Sequence, residues 1–307
     1  MRIFSEAEAG AERNPDGSAG VAVPGALAAI AFASAKGGVG KSALAVNLAA
    51  ALALDGRKVG ILDADLNSPN MLAMLGLKAP RRVFAGEAIE PIAGPLGLRV
   101  VSSGLLTGGE PPPASFLADE PELAPASRNG HGVAELDYGA SLRRLLNQAN
   151  FGALDILLID LAPGLERLYQ MARMTALAGV VIVTQPSEFS VMAANRAIEI
   201  AIRCKTPVLG VIENMIGFSC GGCHTVRPLM PQGDMAAVAH AAGVATLARL
   251  PFDARLAECC DRGVIFIREY ADTPLAKSFH ELARTVAAII PARASAAAAA
   301  GESGDSR

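Results

Sequence analysis

Residues 32–53 read FASAKGGVGKSALAVNLAAALA. An apolar run gives way to a glycine-rich loop, and a stretch with helical character opens at Lys41. Strand, loop and helix in that order suit a phosphate. Glycines let main-chain N–H groups close around its oxygens, and the first helical turn adds partial positive charge. Gly37, Gly38 and Gly40 permit the approach, with Val39 between them. Lys41 reaches the terminal phosphates and Ser42 can ligate magnesium, with Ala43 next in the first turn. The strict spacing G-x-x-x-x-G-K-[ST] fails at Ala35, but the strand before the loop and the helix after it identify a nucleotide loop. Lys36 has no part in that account and needs its own.

The same rhythm runs along the chain. Near-continuous apolar runs at 27–34, 58–64, 98–103, 155–160, 179–184, 207–213 and 245–251 predict strands covered on both faces. Helical patterns fill 41–54, 140–149, 187–203, 233–242 and 273–290. The alternation predicts an α/β fold, a P-loop NTPase with a mostly parallel sheet of about seven or eight strands and helices on both faces. The expected organisation is one domain over 24–292, between a flexible leader at 1–23 and a disordered tail at 293–307. Residues 105–139, rich in Pro, Gly and acids and without periodicity, are expected to form a loop excursion.

Composition narrows the function classes. The 307 residues are 51% apolar, 19% charged and 4% aromatic, with a net charge of −3. No global positive field recruits nucleic acid or anionic lipid. No window supplies the roughly 18 uninterrupted apolar residues of a membrane span. The first twenty residues lack the apolar core of a secretory signal. The expectation is a cytoplasmic protein with neither nucleic-acid partner nor stable membrane association.

Phosphate chemistry calls for carboxylates at strand ends. ILDADLNSPN sets Asp63 and Asp65 at the carboxyl end of the second strand, where ligands sit in open α/β sheets, and LLIDLAPG ends another strand at Asp160. Cys220 and Cys223 form a C-x-x-C with His224 adjacent, offering two soft thiolates for zinc or an iron–sulfur cluster. One such pair is half of a four-ligand shell. Further ligands in the chain, a redox dithiol, or the same pair from a symmetry-related copy would each complete it. Cys204, Cys259 and Cys260 read as small structural hydrophobes, and His224 as a bystander.

AKGGVGKS, LDADLNSPN, LLIDLAPG, GVIENMIGFSCGGC and RLPFD, in this order, resemble the Mrp/ApbC family of iron–sulfur cluster carrier ATPases over roughly residues 28–290. That family belongs to the signature-lysine group, with its deviant Walker A loop. The resemblance implies a homodimer in which Lys36 crosses the interface to the partner's nucleotide. It implies that Asp65 lies by the attacking water, with Asp63 behind it, and that Asp160 is a Walker B carboxylate holding magnesium through water. Asn214, with Pro251, Phe252 and Asp253, would hold adenine. Cys220 and Cys223 of two copies would bridge a [4Fe-4S] cluster, delivered to apo iron–sulfur client proteins under control of ATP and Mg2+. The family's second switch tends to read D-x-P-P-G-T-G-D, whereas here Leu165 and Arg167 replace its Thr and last Asp, so hydrolysis is expected to be slow. The main alternative is a partitioning or cell-division ATPase of the same group, a nucleotide switch on membrane or DNA. It would need a basic amphipathic helix or a basic stripe, which the charge balance disfavours. A reductase resembling the nitrogenase iron protein ranks below it, because its cluster cysteines lie singly in separate loops. A nucleotide switch whose cysteines bind zinc, or nothing, is the plainest alternative.

Overall fold

In the computed structural model residues 21–66, 68–78, 88–102, 138–219 and 225–301 are described. The first half of the domain runs β1 (Ala26–Ala33), α1 (Lys41–Leu54), β2 (Val59–Ala64), α2 (Met71–Met74), β3 (Ile92–Ala93), β4 (Arg99–Ser102) and α3 (Tyr138–Gln148). The second half runs β5 (Leu154–Leu161), α4 (Leu165–Met174), β6 (Gly179–Thr184), α5 (Glu188–Arg203), β7 (Val208–Ser219), β8 (Val226–Arg227), α6 (Met235–Ala241), β9 (Thr246–Phe252), α7 (Ala254–Arg262), α8 (Phe266–Glu269) and α9 (Pro274–Gly301).

The strands form one sheet in the order β3-β4-β2-β5-β1-β6-β7-β8, with β9 also paired to β7. The seven expected strands are all present and mutually parallel where they pair. Among the described residues the sheet has nine strands, because β3 and β8, two residues each, add short antiparallel ribbons that no periodicity could announce. Central strands β2 and β6 are buried along their whole length, as their near-continuous apolar runs require. Helix α1 is buried nearly all round, because its alanines let it lie close between the sheet and α9.

Two boundaries differ from expectation. Residues 21–23, expected in the leader, belong to the described structure, since Val21 pairs with Thr175 and Val23 is buried. Main-chain bonds from Val21 N to Met174 O and from Ala176 N to Val21 O hold it. The last helix does not stop at residue 290 but continues to Gly301, where a disordered tail was expected. The alanine run 296–300 has the highest intrinsic helix propensity and extends a turn already begun. Most of the 105–139 excursion, the first twenty residues and 302–307 lie outside the described residues. Among the described residues no helix is long and apolar enough to cross a membrane.

Candidate nucleotide site

Because the neighbouring strands are parallel, the carboxyl ends of β1, β2, β5, β6 and β7 meet at one edge, and the glycine loop leaves β1 there. Gly38 and Gly40 take left-handed φ values of 75° and 84°, which only glycine adopts without strain. At Gly40 there is no room either, since an added Cβ would stand 2.5 Å from the Asn214 Nδ2.

Register brings the acids together. Asp63 on β2 lies opposite Asp160 on β5, and Asp160 lies opposite Phe32 on β1. Lys41, buried at the start of α1, donates from Nζ to Asp160 Oδ1 at 2.5 Å, and Ser42 Oγ donates to Asp160 Oδ2 at 2.5 Å. Two hard oxygen donors, the Ser42 hydroxyl and the Asp160 carboxylate, thus converge beside the phosphate loop. This is the donor chemistry magnesium takes, and these residues would hold it.

Asp63 has a different environment. It accepts from Met71 N, Asp65 N and Ser102 Oγ. Burial, with the Asp160 charge second, still raises its carboxyl to about 7 against those bonds. The cluster therefore sets the Lys41 amine, the Asp160 carboxyl it bonds and a second carboxyl raised to about 7 at one edge of the sheet. Asp65 stands half-buried at the exit of β2, where its Oδ1 accepts from Ser68 N and closes a tight turn.

Asn214 is buried at 4% exposure and donates from Nδ2 to Val39 O at 2.9 Å. Its amide nitrogen thus braces the phosphate loop, a role its sequence neighbours did not announce. Met215 follows with φ 59°, an uncommon value for a non-glycine residue, and marks a register shift between Asn214 and Phe218. Pro251 and Phe252 end β9 beside β7, and Asp253 caps α7 by accepting from Arg255 N. The Arg255 guanidinium also bonds the Asp253 carboxylate, holding it below the usual range, and stacks 4.8 Å from the Tyr270 ring.

Three contributors escaped the sequence. Ser102 bonds Asp63 from the neighbouring strand. Buried Glu213, bonded by Arg249 Nε at 2.6 Å, straps β7 to β9. Gln185 donates to Gly38 O from the turn after β6. Ser102 and Gln185 are polar residues at or just past a strand end, a signal shared with any turn, and Glu213 lies inside β7, where nothing in the sequence names its partner. Lys36 is exposed, unlike Lys41, and lies against Phe189.

Cys220, Cys223 and His224 lie outside the described residues; the flanking residues Ser219 and Val226 pair as an antiparallel ribbon. The remaining cysteines are free thiols. Burial raises those of Cys204 and Cys259 and pushes Cys260 up to about 11, so none is a ready thiolate. Among the described residues no three His, Cys, Asp or Glu gather as a metal-binding group.

A family model described as ParA, NUBPL iron-transfer P-loop NTPase matches residues 26–116 and 137–287. The chain belongs to that family. Among ParA/NUBPL relatives, an iron-sulfur cluster carrier protein of Saccharolobus solfataricus is 34% identical over 263 residues, covering 85% of this chain and 83% of its own. One from Methanocaldococcus jannaschii is 35% identical over 237 residues, 76% of each chain. A cytosolic Fe-S cluster assembly factor NUBP1 homolog of Brugia malayi is 33% identical, covering 84% of this chain and 80% of its own. Among solved structures, a nucleotide-binding protein of Archaeoglobus fulgidus in complex with ADP superposes with a TM-score of 0.65 at 30% identity, covering 84% of this chain and 93% of that one. The Pyrococcus furiosus cell division ATPase MinD superposes at 0.59 with 21% identity, covering 85% and 99%, a likeness of fold alone.

Proposed function

We propose that the chain is an ATP-dependent iron–sulfur cluster carrier. Two copies bind a [4Fe-4S] cluster as cargo through Cys220 and Cys223 of each, and pass it to apo client proteins as ATP is bound and hydrolysed. One observation carries the proposal: β7 supplies Asn214 to the phosphate loop and, six residues later, leads into the C-x-x-C. A single strand then links the two sites. Any shift of the Val39 carbonyl on nucleotide binding reaches the cysteines through the strained Met215 backbone and the pairing of β7 with β8. The relatives named as cluster carriers support the cargo.

The nucleotide half works by exchange of partners. Lys41 leaves the Asp160 carboxylate for the terminal phosphates, where its charge is better placed as the transferring group gains negative charge. Asp160, released, and the Ser42 hydroxyl oxygen beside it are the residues that would hold magnesium. Magnesium held there would supply charge neutralisation for the phosphates. Asp65 orients the attacking water, and Lys36 enters the partner's site as a second cation. Asn214 and the Pro251–Asp253 segment flank the base.

Anaerobic reconstitution with iron and sulfide tests the cargo. The expected result is about four irons and four sulfides per dimer, lost in the Cys220→Ala/Cys223→Ala variant. One zinc per dimer and no sulfide would overturn it.

A further inference from the structure

Phe189, in the first turn of α5, is 75% exposed, more than any other large apolar side chain among the described residues. A single exposed phenyl is ordinary. This one has a charged neighbour: Lys36 Nζ lies 5.6 Å from its ring centroid, within cation–π range. Among the described residues, Lys36 makes no ion pair.

The turn that carries the ring is fixed to the phosphate loop. Gln185 Nε2 donates to Gly38 O at 3.3 Å, Thr184 Oγ1 donates to Ser190 O at 3.0 Å, and the Ser187 and Ser190 hydroxyls are 2.8 Å apart. A narrow crevice lined by Ala35, Val39, Thr184, Ser190 and Ala194 runs beside Lys36. Loop and ring are thus held in constant relation.

We propose that Phe189 is the positioning residue for Lys36, holding its ammonium on the exposed side of the phosphate loop, ready to enter the nucleotide site of a second copy. This rests on the trans role proposed above for Lys36. The choice of partner fits the task. A carboxylate at this place would neutralise the lysine and compete with phosphate. A ring orders the flexible stem while leaving the charge intact, and its attraction is weaker than a charge-assisted bond to phosphate. A free lysine would have to lose its rotamer freedom at the moment of use; on the ring, part of that ordering is already done.

The test is steady-state ATP hydrolysis by the full chain carrying Phe189→Leu or Phe189→Tyr, each with Lys36 intact and with Lys36→Ala. Phe189→Leu is expected to lower kcat about two- to five-fold, the span of an exposed cation–π contact, with KM unchanged. Phe189→Tyr keeps the rate, and Phe189→Leu has no further effect once Lys36 is alanine. Equal loss in both backgrounds would make Phe189 a plain apolar contact and overturn the proposal. So would no loss from Phe189→Leu while Lys36→Ala slows turnover, a result that spares the trans role. If Lys36→Ala leaves kcat unchanged, the trans role and the proposal fall together. A second readout needs no activity. After 13C-dimethylation of lysines, the Lys36 signal, assigned by its absence from Lys36→Arg, should be ring-current shifted in the wild type and Phe189→Tyr. It should return to the position of free lysines in Phe189→Leu, and an unshifted wild-type signal would overturn the proposal.

Discussion

Asp63 and Asp160 face each other across the β2–β5 ladder, and Lys41 bonds the second but not the first. The asymmetry leaves Asp63 without a cation. Asp160 is paired with a cation, while Asp63 is raised from 3.8 to about 7 by burial and by Asp160.

A raised carboxyl gives the folded chain more bound protons than the unfolded chain between pH 4 and 7, so stability falls as pH rises through that window. The contribution is complete below the unfolded value and gone above the folded one. Asp63→Asn should therefore flatten this part of the pH profile and raise stability at pH 8 by a few kcal/mol in order of magnitude. Asp160→Asn should move the descending limb to lower pH by removing the opposing charge. Urea denaturation across pH 4–8 checks both; an unchanged profile in Asp63→Asn would show that another group titrates.

At Gly40, steric and conformational demands coincide. A β-carbon would meet the Asn214 amide at 2.5 Å in a left-handed backbone. Gly40→Ala should cost about 1–2 kcal/mol from the backbone alone and expel Asn214 from its bond to Val39, with nucleotide affinity lost. Isothermal titration with ADP reads the affinity. Adding Asn214→Ala should relieve the clash but leave the backbone cost.

The two lysines should separate cleanly. Lys41→Ala removes the buried cation that Asp160 faces and should abolish nucleotide binding, besides destabilising the fold by about 3–5 kcal/mol, as for a broken buried pair. Lys36→Ala, at an exposed position, should leave binding and stability near wild type and depress turnover. Equal loss of binding in both would remove the role assigned to Lys36.

The sequence announced what repeats or what chemistry demands. Strands β5 and β6 are near-continuous apolar runs, interrupted in β5 by Asp155 and Asp160, so their existence and parallel pairing follow from hydrophobicity. The loop from Gly37 to Ser42 is legible because residue type and spacing are set by phosphate. Helices α4 and α7 were illegible, being short, with charged residues interspersed among their apolar ones, and fixed by the tertiary surfaces they cover. The bond from Asn214 to Val39 spans 175 residues, and the partner of an isolated asparagine depends on packing that no local pattern encodes. Phe189 gives no signal for the same reason: one aromatic in a helical stretch gains meaning only beside Lys36.

The proposed function requires two copies of this chain to complete centres that neither completes alone. Sedimentation of the reconstituted protein, read at the absorbance of the cluster and with ATP hydrolysis measured on the same fractions, tests that pairing. The cluster should travel with a species of twice the chain mass, and hydrolysis should be confined to it. A monomer carrying the full iron content and the full rate of hydrolysis would contradict it.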